Sequence, residues 1–222
     1  MLNKLRFKGT SEPSWHQTHT AIIRRFINIT GGEVSMLGRV RKGLVALSAS
    51  LLLISASLQA APLDGKKDIL LVDKKGQSIV VGTVNFKPDE SGSHYELHMD
   101  HAKFRDYFLS MKEMKCLEGP ELWCHLAYPY KQPNRVTQDD LSWLSHDLLF
   151  MFKKKEEFGA NFWNGIYYHM QIEGDEIRGK AQAVDLNVLA SPPDDLNVPP
   201  MNEGERDEID RTKRWLPDLI IR

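Results

Sequence analysis

The sequence predicts an α+β fold, an antiparallel sheet with one long helix packed on a face. Three patterns carry that expectation. The stretch "SHYELHMD" (93–100) alternates apolar and polar side chains with the period of a half-buried strand. Two runs flanking "EGDE" (173–176) have the form of a hairpin, with Gly174 and Asp175 at its turn. Residues 137–155 repeat apolar side chains at three- and four-residue spacing, the mark of an amphipathic helix. These patterns are compatible both with an open sheet and with closure into a barrel-like form.

The chain divides before its first strand. Residues 36–60, "MLGRVRKGLVALSASLLLISASLQA", have the three parts of a secretory signal. Arg39, Arg41 and Lys42 form the charged flank, and 44–54 is an uncharged apolar run. That run is shorter than the roughly twenty residues a bilayer-spanning helix needs. Small residues lead to a cut between Ala60 and Ala61, with a cut after Ser57 as the alternative. No cysteine follows the run as a lipoprotein anchor would require. Residues 1–35 show no sustained periodicity and are expected to be an untranslated upstream extension, with Met36 as the start. The expected location is periplasmic or secreted. Residues 61–222 then carry 21 basic and 28 acidic residues, a formal charge of −7. An acidic domain of that size disfavours nucleic acid and anionic membranes as partners. No membrane span is expected once the signal is removed, because no later apolar run is long enough.

Within residues 61–190, one globular domain is expected. Runs at 68–72 and 78–86, separated by Lys74, Lys75 and Gly76, predict a first hairpin. Tyr95, Leu97 and Met99 then share one face of a strand, and His94, Glu96, His98 and Asp100 the other. Residues 103–115 fit helix and strand equally well. Over 137–155, Thr137 is placed to cap a helix with Asp140 in its first turn. Leu141, Leu144, Leu148 and Met151 form its stripe, widened by Phe152, and Lys153, Lys154 and Lys155 face the negative end of the dipole. Ile166, Tyr168, Met170 and Ile172 line one face of the next strand, opposite the small Gly179, Ala181 and Ala183. Residues 191–222 read as a proline-rich acidic linker ending in "RWLPDLIIR", apolar enough to dock on the body.

Cys116 and Cys124 are the only cysteines, and in an oxidising compartment they are expected to form a disulfide across a turn containing Gly119 and Pro120. His94, Glu96, His98, Asp100 and His101 are the richest set of metal-ligand types. His94 and His98 stand about 13 Å apart on an extended strand, so the set reads as a polar strand face rather than a metal site. His146 and Asp147 are adjacent on the expected helix and read as surface residues. Trp123, Tyr128 and Tyr130 crowd around the second cysteine among Pro129 and Pro133. Trp123 is expected in the core, and the two tyrosines on an exposed, low-entropy binding surface. No phosphate loop, nucleophile elbow, zinc-protease motif or dinucleotide fingerprint occurs, so no cofactor is expected.

The segments "CHLAYPY" (124–130) and "NFWNGIYY" (161–168) resemble those of an uncharacterised family of small exported bacterial proteins. The resemblance spans residues 104–190 and implies no activity and no site residue. The function expected is therefore a non-catalytic exported module that binds a protein, peptide or envelope polymer. The alternatives are an envelope hydrolase using Asp and His residues, and a periplasmic metal-binding protein. An exposed aromatic patch would favour binding, converging acids and histidines an enzyme, and a three-ligand cluster a metal protein.

Overall fold

The computed structural model describes residues 61–109 and 113–222. The expected upstream extension and signal lie outside the described residues. Strands β1 (Gly65–Val72), β2 (Ser78–Asp89) and β3 (Gly92–Met99) form an antiparallel meander. The β1–β2 turn is held by Asp73, whose Oδ1 accepts the N–H groups of Lys75 and Gln77 at 2.8 Å each. Gly76, at φ 80°, supplies the left-handed residue. Strands β4 (Arg105–Phe108), β5 (Glu113–Glu118) and β6 (Leu122–Leu126) continue antiparallel, which assigns residues 105–108 and 113–115 of the ambiguous 103–115 stretch to strands.

After the short β7 (Arg135–Val136) comes helix α1 (Ser142–Asp147), followed at once by β8 (Leu149–Lys153). The long helix expected over 137–155 is not formed, and the chain is a mostly antiparallel β protein with one short helix among the described residues. The stripe Leu141–Leu144–Leu148–Met151 explains why. A helix on that stripe would leave Leu149 and Phe150 facing water, at roughly 2 kcal/mol for each large apolar side chain. As a strand between β6 and β9 (Gly165–Glu173), β8 leaves Leu149, Phe150 and Met151 fully buried. A continuous apolar run suits burial on both faces and cannot be distinguished from a helix by periodicity. Thr137 does not cap α1: its hydroxyl accepts from the Asp140 N–H, and Asp140 Oδ1 in turn accepts from the Ser142 N–H. Lys153, expected at a helix terminus, is buried and donates from Nζ to the Glu157 carbonyl.

Strand β9 pairs with β10 (Glu176–Val184) around Gly174, which has φ 68°. Small residues on β10 meet large ones across the pair: Gly179 opposes Met170, and Ala181 opposes Tyr168. The C-terminal β12 (Asp218–Ile221) lies between β10 and β1, joining the early meander to the late one, while β11 (Arg206–Glu208) pairs with β10 alone. The sheet order is β4-β5-β6-β8-β9-β10-β12-β1-β2-β3-β7, and its outer strands do not pair with each other. Tyr95, on the tenth strand of that order, hydrogen-bonds Asp147, which lies two residues before the start of the fourth. The sheet therefore curls toward itself without closing.

One apolar cluster forms the core. Trp123, fully buried, donates from its indole N–H to Tyr168 Oη at 3.2 Å, and Tyr168 donates to the Leu216 carbonyl at 2.8 Å. That chain ties β6, β9 and the C-terminal segment together. Trp215 lies over Gly119, where a Cβ would stand 2.3 Å from the indole ring, so the hairpin turn must be bare for the C-terminal segment to seat.

Cys116 and Cys124 are joined by a disulfide that links directly opposed residues of β5 and β6, and both are fully buried. Replacing both by serine should cost about 2.5 kcal/mol from loop entropy. The intact mass of the unreduced protein should be about two daltons below that of its reduced form (two hydrogens lost per bridge). Alkylation of both thiols in denaturant without reductant would show the bridge to be absent.

Candidate functional site

Three local features open a cleft at the end of the curled sheet. Strand β7 pairs with β3 only at Ser93 and His94, after which the Tyr95 N–H donates to the Asn134 carbonyl at 3.0 Å. There the neighbouring chain leaves. Asn134 turns it away with φ 50°, the one positive φ at a non-glycine among the described residues, and Pro133 has no N–H to extend the ladder. From Glu96 to Met99, β3 has β2 on one side and no strand on the other.

Beside that uncovered edge is a cleft of about 470 Å³, lined by Tyr95, Glu96, Leu97, Ala127, Asn134 and Asp147. Asp147 arrives from the C-terminal end of α1, and its Oδ2 accepts from Tyr95 Oη at 2.8 Å. The Gln132 amide oxygen lies 3.2 Å from the same hydroxyl. Burial holds the Asp147 carboxyl above the usual carboxylate range, although the bond from Tyr95 and the nearby Gln132 amide pull the other way. Burial, followed by the Asp147 charge, raises the Tyr95 hydroxyl. Among the described residues, Asp147 has no Lys, Arg or His nitrogen within 4.0 Å of its carboxylate. His125 approaches Asp147 only at the main chain, with Nε2 2.9 Å from the carbonyl, and its ring sits against Phe104 and Phe150. Burial lowers its pKa.

The expectation that His146 and Asp147 lie on the surface is corrected. His146 is fully buried among Tyr128, Trp143 and Tyr167. Its Nδ1 stands 2.7 Å from the Ser142 carbonyl, and its Nε2 accepts the Met201 N–H at 3.2 Å. Those partners require the neutral tautomer with its proton on Nδ1. Asp147 is half-buried.

The exposed tyrosine surface is corrected too. Tyr128 is buried at 8% exposure, edge-on to Tyr130, Trp143 and His146. Tyr130 is half-buried and donates to the Leu189 carbonyl at 2.7 Å. With Trp123 also enclosed, the three rings serve packing: Tyr128 lies against Trp143 and His146 of α1, and Tyr130 reaches the Leu189 carbonyl. Tyr128→Ala should therefore destabilise by about 3 kcal/mol. Tyr128→Phe should be nearly neutral, since the buried Tyr128 hydroxyl has no hydrogen-bond partner. Chemical denaturation of both variants decides this: an alanine cost under about 1 kcal/mol would return the ring to the surface.

The histidine stretch stays dispersed. His94 lies beside Asp89 and has Nε2 3.1 Å from Arg135 Nη1, while His98 pairs with Glu96 at 3.4 Å. Asp100 accepts from the Ala102 N–H and caps the short 3-10 turn His101–Lys103. Among the described residues, no three His, Cys, Asp or Glu side chains are grouped closely enough to hold a metal ion. Aromatic rings do reach solvent elsewhere. Phe108, Phe158 and Trp163 are 77%, 104% and 71% exposed, and the Ala160 N–H donates to the Leu109 carbonyl, bringing the Phe158 loop beside the end of β4. The residues missed from sequence are Tyr95 and Asp147 as a pair. The alternation at 93–100 put Tyr95 on the inner face, but nothing local said that a residue fifty positions later would meet it. No helix among the described residues is long and apolar enough to cross a membrane. No protein-family model, curated protein or solved structure matches this chain.

Proposed function

We propose that this chain is an exported, non-catalytic binding module that takes an extended segment of a protein or peptide partner along the open edge of β3. The observation that carries this reading is the uncovered backbone beyond Tyr95, set beside a cleft within the usual size range of ligand pockets. A strand edge offers unpaired N–H and C=O groups at a fixed spacing, and peptides are commonly captured by extending such an edge. The exposed Phe108, Phe158 and Trp163 further support a binding role. Export rests on the signal pattern, and kinship with the uncharacterised exported family on the two segments quoted above. A hydrolase reading draws support from the raised Asp147 carboxyl. Among the described residues no second group is poised beside it for proton transfer, because His125 faces the main chain and aromatic rings.

A photo-crosslinking amino acid at Glu96, on the cleft wall, should give a discrete cross-linked protein in cells. The same probe at Lys180, exposed on β10, should not. Leu97→Pro removes an N–H from the open edge without breaking the pairing to β2, and should abolish the Glu96 product; because Leu97 is half-buried against the core, a loss of about 2 kcal/mol with an unchanged circular dichroism spectrum is expected. Equal products from Glu96 and Lys180, or a Glu96 product that survives Leu97→Pro, would refute edge binding.

A further inference from the structure

Resting on that binding reading, we infer that the cleft selects an extended peptide that places one lysine or arginine side chain against Asp147. Backbone geometry sets the register. The Tyr95 N–H leaves β3 on the side of Asn134. Residues two apart in an antiparallel strand direct their N–H and C=O groups to the same edge. Leu97 therefore presents its backbone pair to the cleft, whereas Asp100 donates to the Val81 carbonyl on the β2 side. A segment pairing with Leu97 would run directly alongside the cleft.

The lining supplies the side-chain chemistry. Leu97 and Ala127 offer apolar surface for a methylene stem, and Asp147 offers a carboxylate for its charged head. The lining includes no basic residue. Glu96 is exposed and already faces His98, so it acts as an outer, screened charge. Asp147 is different, being half-buried with a hydroxyl donor but no cation. A carboxylate withdrawn from water without a counter-charge is unfavourable, and an incoming ammonium or guanidinium relieves that penalty on binding. Tyr95 holds Oδ2 in place and leaves Oδ1 for the ligand. A neutral or acidic side chain would leave Asp147 uncompensated, which is how the site would discriminate.

The test is selection of linear dodecapeptides from a random phage-displayed library on the purified protein. Enriched sequences should share one Lys or Arg at a fixed position. A synthetic peptide of that sequence should bind Asp147→Asn at least tenfold more weakly than wild type. Replacing the peptide's basic residue by glutamine should cost tenfold against wild type and little against Asp147→Asn. Asp147→Asn keeps the acceptor for Tyr95, and an unchanged circular dichroism melt verifies its fold. Enriched peptides without a shared basic residue, bound equally by Asp147→Asn yet lost on Leu97→Pro, would overturn the selectivity and leave edge binding standing. Failure to enrich, or peptides indifferent to Leu97→Pro, would overturn both.

Discussion

Trp123→Ala should lower the unfolding free energy by about 4 kcal/mol, the largest single-residue effect expected in this protein. The indole is fully enclosed and packs 6.0 Å from the Phe152 ring. Truncation removes that apolar area and opens a cavity between rigid strands, which cannot collapse as a loop could. It also takes away the donor to Tyr168 Oη, the middle of the chain that ends at the Leu216 carbonyl. Trp123→Phe separates the two contributions. It retains most of the ring volume and loses the N–H, so it should cost about 1–2 kcal/mol. Urea unfolding followed by far-ultraviolet circular dichroism measures both. An alanine cost near that of the phenylalanine variant would mean that the hydrogen bond, not packing, dominates at this position.

Acid should weaken the fold through His146, by up to about 3 kcal/mol. Burial is the main cause of its low pKa, about 4, opposed by the Ser142 carbonyl and assisted by the Arg206 charge. The folded value lies below the ordinary histidine value, so the unfolded chain takes up the proton first as pH falls. His146 contributes its full stability above about pH 6.5. That contribution declines as pH falls toward 4, where the folded form also protonates. Protonation would turn the acceptor of the Met201 N–H into a donor and release the proline-rich segment from α1. Buried His125 acts in the same direction, whereas Asp147, with its raised carboxyl, acts in the opposite one and gains as it is protonated. The informative quantity is therefore the difference between wild type and His146→Gln, a non-titrating variant, measured from pH 7.5 to 4.5. That difference should shrink steadily with acid. A constant difference would show that His146 is not held neutral.

Much of the β content could be read along the chain. The 93–100 alternation, the hairpin at Gly174 and the turn at Gly76 are local: each is set by side-chain period or by a residue able to adopt positive φ, and neither needs distant partners. The bridge between Cys116 and Cys124 was equally legible, because a short turn brings two strands into register around it. The 137–155 segment was not. Its apolar residues satisfy a helical stripe on paper, yet β6 and β9 take up the two hydrogen-bonding edges of β8, and those partners exist only in the folded sheet.

The candidate site follows the same division. Amino-acid sequence determined that Tyr95 faces inward, that Pro133 cannot extend a ladder and that Asp147 is acidic. Only the tertiary structure decided that the sheet curls far enough to set Tyr95 against Asp147, and that β7 stops short of Leu97. It likewise decided that Tyr128 and His146 lie within the core rather than on the surface. Burial and charge compensation arise between residues far apart in the chain, and no local pattern encodes which distant residue will provide them.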